Sequence, residues 1–259
     1  MVKGLDLFRE RFREFEGSFI LIGGAACHEW FAGQGAEFRA TKDLDIVLIV
    51  EALHPPFGAI FRAFITEGRY SVQEKSEGVP VLYRFAKPEN PEFPATLELF
   101  SRKPDGLELA DGQNIVPIPS NADQHSLSAI LLDDDYYSLI RTHWMMRNGL
   151  AFANATALIP LKAHAWLNLS QRKAAGEDVG SRNIAKHRND VFRLAATLPG
   201  EPGPELPASI VTDLTKFLEE FPDDSLDWPN IRASLKNSVA DGLEPAALRA
   251  AIQTYFRMV

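Results

Sequence analysis

Apolar positions along the first part of the chain switch repeatedly between helical spacing and short continuous or alternating runs. Over 5–15, Leu5, Leu7, Phe8, Phe12 and Phe15 recur among Arg and Glu at the spacing of one helix face. Phe19-Ile20-Leu21-Ile22 is a four-residue apolar run that ends in Gly23-Gly24 and passes into Ala25-Ala26-Cys27-His28-Glu29-Trp30-Phe31, which predicts a strand, a tight turn and a helix. The aliphatic run 46–50 predicts a buried strand, 57–67 a helix, and 79–85 a further strand. Alternation over 95–101 sets Leu97 and Leu99 on one strand face and Glu98 on the other. Pro88, Pro91 and Pro94 deny both helix and ladder bonds, so 88–94 is a loop.

Beyond Ile118 the helical period dominates, over 126–132, 137–146, 157–174, 184–196, 208–220 and 245–256, with Pro160 tolerated early in its helix and Pro199, Gly200, Pro202, Gly203 and Pro204 marking a solvent loop. The expected fold class is therefore α/β (α+β): a small mixed sheet with flanking helices over 1–120, followed by a mainly helical domain over 121–259 that closes a cleft holding the site.

Composition narrows the function classes. The 259 residues suffice for one large or two ordinary domains. No apolar run approaches a membrane span and the start lacks a signal-peptide core, so a cytoplasmic protein with no membrane partner is expected. The single cysteine, Cys27, excludes an internal disulfide and a cysteine-based zinc cluster. A formal charge of −8 argues against a generally basic nucleic-acid surface, although Arg141, Arg147, Arg172, Lys173, Arg182, Lys186, His187 and Arg188 gather in the second half.

The candidate chemistry lies in two short stretches. Glycines at a strand-to-helix turn let a backbone approach a ligand, and the free N–H groups of a helix start favour phosphate. Downstream, Arg39-Ala40-Thr41-Lys42-Asp43-Leu44-Asp45 opens the second strand, whose alternation puts Asp43 and Asp45 on one face and Leu44 in the core. Carboxylates so close repel each other, and a hard divalent ion such as Mg²⁺ resolves the conflict by taking their oxygens together with phosphate oxygens and water. Glu98 joins them if its strand neighbours theirs, as a third metal-holding acid able to deprotonate an acceptor hydroxyl. The competing readings are solvated aspartates at an exposed strand start, and for Glu98 an outward charge on an edge strand.

The Gly23-Gly24 turn, the Arg39-x-Thr41-x-Asp43-x-Asp45 run and the acidic strand at Glu98 resemble the nucleotidyltransferase fold of the DNA polymerase beta superfamily, and within it the AbiEii/AbiGii toxin family. The resemblance runs from about Ser18 to Leu194, because Leu161-Lys162-Ala163 and the segment from Lys186 through Asp190 to Leu194 are similar to that family's helical lysine followed by a K-x-x-x-D-x-x-x-L-type helix. It implies a nucleotidyltransferase that moves a nucleoside monophosphate from an NTP, ATP among them, to an acceptor hydroxyl. Gly23 and Gly24 would hold the triphosphate with Arg39 and Thr41 beside them, and Asp43, Asp45 and Glu98 would bind Mg²⁺ or Mn²⁺. Lys162 would reach phosphate, and Asp190 would pair with it or with a nearby base. The superfamily often carries serine after the first glycine, where Gly24 keeps only the backbone donors. The implied acceptor is an RNA such as tRNA, in a toxin–antitoxin or phage-defence setting with a cognate antitoxin protein as partner. A small molecule such as an antibiotic is the alternative acceptor, and a nucleotide-binding or partner-binding module without turnover is the alternative function.

Other conspicuous residues have plainer readings. Lys162 can snorkel from an amphipathic helix, and Asp190 can be a surface partner of Lys186. Asp133-Asp134-Asp135 caps a helix rather than gathering a metal, and Trp144-Met145-Met146 is expected in the core. His28, His125, His143 and His164 lack metal-ligand spacing, while His187 lies close in sequence to Asp190.

Overall fold

The computed structural model describes residues 2–53, 55–74, 80–105, 115–117 and 128–258. Contacts divide the chain into a sheet unit, Met1–Gly33 with Arg39–Ala153, and a helical unit, Gln34–Phe38 with Asn154–Val259. The fold class is the mixed α/β one expected: a mixed sheet with flanking helices, then a helical C-terminal region. His125, Ile118, Val79 and positions 126 and 127 of an expected helix lie outside the described residues. Among the described residues no helix is long and apolar enough to cross a membrane.

In the sheet unit the chain runs α1 (Leu5–Phe12), β1 (Phe19–Ile22), α2 (Gly23–Gly33), β2 (Asp43–Leu48), α3 (Pro55–Gly68), β3 (Ser71–Glu74), β4 (Pro80–Ala86), β5 (Thr96–Ser101), β6 (Ile115–Pro117), β7 (Ser128–Leu131), α4 (Asp134–Thr142), β8 (Trp144–Arg147) and β9 (Leu150–Ala153). The main strand order is β3-β4-β5-β2-β1-β9-β8, with β7 joining β5 to β6. The central pairs are β1 with β2, antiparallel, and β2 with β5, parallel.

Pleating separates the two faces of these central strands. Phe19, Leu21, Leu44, Ile46, Leu48, Phe85, Leu97 and Leu99 form the apolar face by register, and all are buried. Phe8 and Phe12 of α1 and Phe57, Phe61 and Phe64 of α3 cover it. Phe8 and Phe12, one helical turn apart, stack with centroids 4.4 Å apart, and Phe12 meets Phe64 edge-on at 5.5 Å. Each such ring contributes on the order of 1.5–3 kcal/mol of burial, which fixes the register and leaves the opposite face to carry Asp43, Asp45 and Glu98.

Three expectations are corrected. Within the helix placed over 126–132, the described residues Ser128–Leu131 are instead the strand β7, paired parallel with β5 and antiparallel with β6. A helix does follow, but it begins after Asp133, whose side chain accepts the Asp135 N–H at 2.9 Å, so the aspartate run caps α4 as expected. The helix placed over 137–146 stops at Thr142, and Trp144–Arg147 becomes β8, joined to β9 by the two-residue loop Asn148-Gly149. Both loop residues have left-handed φ, +50° and +75°, the geometry of a type I′ hairpin turn. Trp144, Met145 and Met146 are consequently not core: they are 41%, 46% and 40% exposed on the last strand of the order. By its contacts the sheet unit runs on to Ala153, with β7, β8 and β9 in the sheet, and the helical unit resumes at Asn154.

The helical unit comprises α5 (Ala155–Ala174), α6 (Ser181–Ala195), α7 (Ala208–Glu219), α8 (Trp228–Leu235) and α9 (Pro245–Tyr255). Phe192 of α6 packs against Phe217, Phe221 and Trp228 with centroids 5.7, 5.7 and 4.7 Å away.

Candidate functional site

Why the chain needs two glycines after β1 is visible in what a side chain there would meet. Gly23 holds φ +65°, which L-residues rarely adopt, and a Cβ on it would stand 1.7 Å from Asp45 Oδ2. A Cβ on Gly24 would stand 2.5 Å from Thr41 Oγ1. The Asp45 carboxylate and the Thr41 hydroxyl therefore lie directly against the Gly23-Gly24 backbone at the start of α2. Arg39 belongs to the sheet unit, and just before β2 the Lys42 carbonyl accepts the Ala95 N–H at 3.0 Å, leading β2 into register beside β5. Arg39 is half-buried and directs Nη1 toward the Ala40 carbonyl at 3.5 Å.

Register places the acids. Ile22 of β1, Asp45 of β2, Glu98 of β5 and Arg84 of β4 are successive cross-strand partners, and so form one row across four strands on a single face. Asp43, two residues before Asp45, lies on the same face opposite Thr96. Asp43 and Asp45 are half-buried while Leu44 between them is buried, as alternation requires. Glu98 is not on an edge: β5 pairs with β2, β4 and β7. Its partner across the ladder is Arg84, with Nε 3.0 Å from Glu98 Oε1. Among the described residues no three His, Cys, Asp or Glu side chains are gathered closely enough to hold a metal ion between them. The three acids share a face, but they do not form a ready three-ligand cage.

Lys162 and Asp190 belong to the helical unit and pair there, Nζ to Oδ2 at 3.3 Å, both almost completely buried. Asp190 also accepts from Arg193 Nη1 at 3.0 Å, and Arg193 donates a second bond to the Ser234 carbonyl at 2.5 Å. The guanidinium lies 5.6 Å from the Phe38 ring. Asp190 is thus not a surface residue: one buried carboxylate serves two buried cations of its own unit.

Sequence reasoning missed several charged residues. Glu29, on the buried side of α2, lies 3.1 Å from Arg147 of β8 and 3.5 Å from Arg9 of α1, tying three elements together. Glu51 accepts from the Tyr137 hydroxyl at 2.7 Å and from Arg102 Nε at 2.9 Å, with Arg141 3.0 Å away. Burial works against ionisation of Glu51, but these donors outweigh it and hold its carboxyl below the ordinary value. Burial lowers His28 and His143, favouring the neutral ring, and for His28 the positive charges of Arg147 and Arg9 add to the effect. Arg84 also escaped notice, since nothing in its own segment marks it; only the pairing of β4 with β5 brings it to Glu98.

No family model matches the chain, and no curated protein matches it significantly. Among solved structures, the chain is similar to an antigenic nucleotidyltransferase-like protein from Paracoccidioides brasiliensis, at 15% identity and a TM-score of 0.42, over 91% of this chain and 93% of that one.

Proposed function

We propose that the sheet unit is a nucleotidyltransferase site that takes an NTP and, with Mg²⁺, transfers its nucleoside monophosphate to an acceptor hydroxyl. The observation that carries this reading is the seating of the Asp45 carboxylate on the Gly23 backbone, with Asp43 on the same face and Glu98 in register beside it. The donor set fits the ion: Mg²⁺ is commonly held by one or two carboxylates, with phosphate oxygens and water completing six oxygens, so Asp43 and Asp45 suffice without a three-carboxylate cage. Mg²⁺, when bound, neutralises charge on the phosphate oxygens.

The chain's own residues supply the rest. Gly23 and Gly24 add no side chain of their own beside Asp45 and Thr41, at a helix N-terminus that favours phosphate. Thr41 lies against the same turn and contributes a hydroxyl, and Arg39, two residues before it, would contribute a guanidinium. In the reaction the acceptor oxygen bonds to the α-phosphorus, the bond to the β-phosphate bridge breaks, pyrophosphate leaves, and the acceptor proton passes to Glu98. The proposal needs nothing of Lys162 beyond its pairing with Asp190. The acceptor is taken to be the end of an RNA such as tRNA, the class the family resemblance implies.

One observation favours a second reading, a module that binds a nucleotide or partner without turnover: Glu98 is engaged by Arg84. Protein incubated with Mg²⁺, each labelled NTP and total bacterial RNA separates the two. The transferase reading expects labelled RNA with the native protein, and none with Asp43→Ala/Asp45→Ala at unchanged folding. Equal labelling by the double variant overturns the metal assignment, and nucleotide binding without labelling of RNA or of small hydroxyl acceptors favours the binding module.

A further inference from the structure

The row Asp45, Glu98, Arg84 sets a cation of the protein's own beside two acids. Arg84 lies directly across the ladder from Glu98 and its Nε is 3.0 Å from Oε1. The pair is partly open to solvent, with the Arg84 side chain 45% and that of Glu98 23% exposed. A partly exposed ion pair is weak, worth roughly 0.2–1 kcal/mol, so a stronger anion can displace the carboxylate. Guanidinium binds phosphate oxygens bidentately and with more charge than a single carboxylate offers.

From this geometry we infer that Arg84 is an exchangeable counter-ion of the site: in the free protein it occupies Glu98, and on arrival of a triphosphate it moves to the phosphates and releases Glu98. The inference rests on the nucleotidyltransferase reading and deepens it. It accounts for the coexistence of three acids on one face with no closely gathered three-ligand set among the described residues. It also gives Arg84 opposite effects on two ligands. The guanidinium competes with a divalent cation for Glu98 and attracts the polyphosphate. A residue that served only to pack β4 against β5 would shift both affinities in the same direction or neither.

The test uses Mn²⁺ alone and inorganic tripolyphosphate alone, which removes any dependence on the preferred base. Mn²⁺ binding is read from the electron paramagnetic resonance of the free ion, and tripolyphosphate binding from calorimetry, for the native protein, Arg84→Gln, Arg84→Lys and Asp43→Asn/Asp45→Asn. Arg84→Gln is expected to bind Mn²⁺ about two- to fivefold more tightly, the range an exposed ion pair can withhold. It should bind tripolyphosphate about tenfold more weakly, as loss of a charge-assisted bond requires. Arg84→Lys, which keeps the charge but not the fork, is expected between the two. If Mn²⁺ binds the native protein, is lost in the double aspartate variant, and Arg84→Gln moves the two affinities together or not at all, the exchange is wrong while the transferase reading stands. If the native protein binds no Mn²⁺, both fail.

Discussion

Replacement of Gly23 by alanine should be among the most damaging single-methyl additions in the sheet unit, and its cost can be separated into parts. A left-handed φ of +65° costs an L-residue roughly 1–2 kcal/mol. The new Cβ would also stand 1.7 Å from Asp45 Oδ2 and 2.8 Å from its Cγ, so the carboxylate or the start of α2 must move; overpacking of this kind costs about 1–3 kcal/mol. The sum is about 2–5 kcal/mol, or a fall in Tm of roughly 4–20 °C at the ~2–4 °C per kcal/mol of a 150–250-residue domain. Two glycines of the same unit isolate the terms. Gly149 has φ +75° but a Cβ there would meet Glu16 Oε1 only at 3.5 Å, so Gly149→Ala reports the backbone term alone. Gly17 has an ordinary φ and nothing within 4 Å, so Gly17→Ala should be nearly silent. Differential scanning calorimetry of the three variants should rank Gly23→Ala well below Gly149→Ala, with Gly17→Ala close to the native protein. Equal losses for Gly23→Ala and Gly149→Ala would show that Asp45 does not sit on the turn, and the reasoning about the site would fail with it.

Two further outcomes follow from buried charge. Asp190→Ala strands Lys162 and Arg193 without their shared carboxylate and should cost about 3–5 kcal/mol, whereas Lys162→Met leaves the Arg193 pair intact and should cost distinctly less; urea unfolding with the reverse order would refute the shared-carboxylate arrangement. Burial holds His143 below its ordinary pKa of 6.5, so the folded protein binds fewer protons than the unfolded chain in that window; this contribution is complete above 6.5 and is lost as pH falls below it toward the folded-state value. His143→Gln should therefore flatten stability against pH just below 6.5, and an unchanged slope would show that the ring is not desolvated.

Much of the site was legible because its parts are local. Gly23-Gly24 after an apolar run, and two aspartates flanking Leu44, state their geometry through the pleat and through glycine's freedom at positive φ. The hairpin at β8 and β9 was legible too and was missed: Asn148-Gly149 is a strong type I′ signal, and reading it would have ended the helix at Thr142 and kept Trp144, Met145 and Met146 out of the core. β7 carried no comparable mark, since Ser128-Ala129-Ile130-Leu131 suits helix or strand and acquires its state from pairing with β5 and β6.

The sequence by itself determined the order of elements around the turn, the common face of Asp43 and Asp45, and the buried position of Leu44, because each depends on periods of a few residues. Tertiary structure alone decided that Glu98 stands in register with Asp45, that Arg84 closes the row, and that Asp190 is held between Lys162 and Arg193. Those relations join residues distant in sequence, and no local spacing encodes which strand lies beside which; packing of the aromatic face under α1 and α3 fixes that order, and the polar face inherits its chemistry from it.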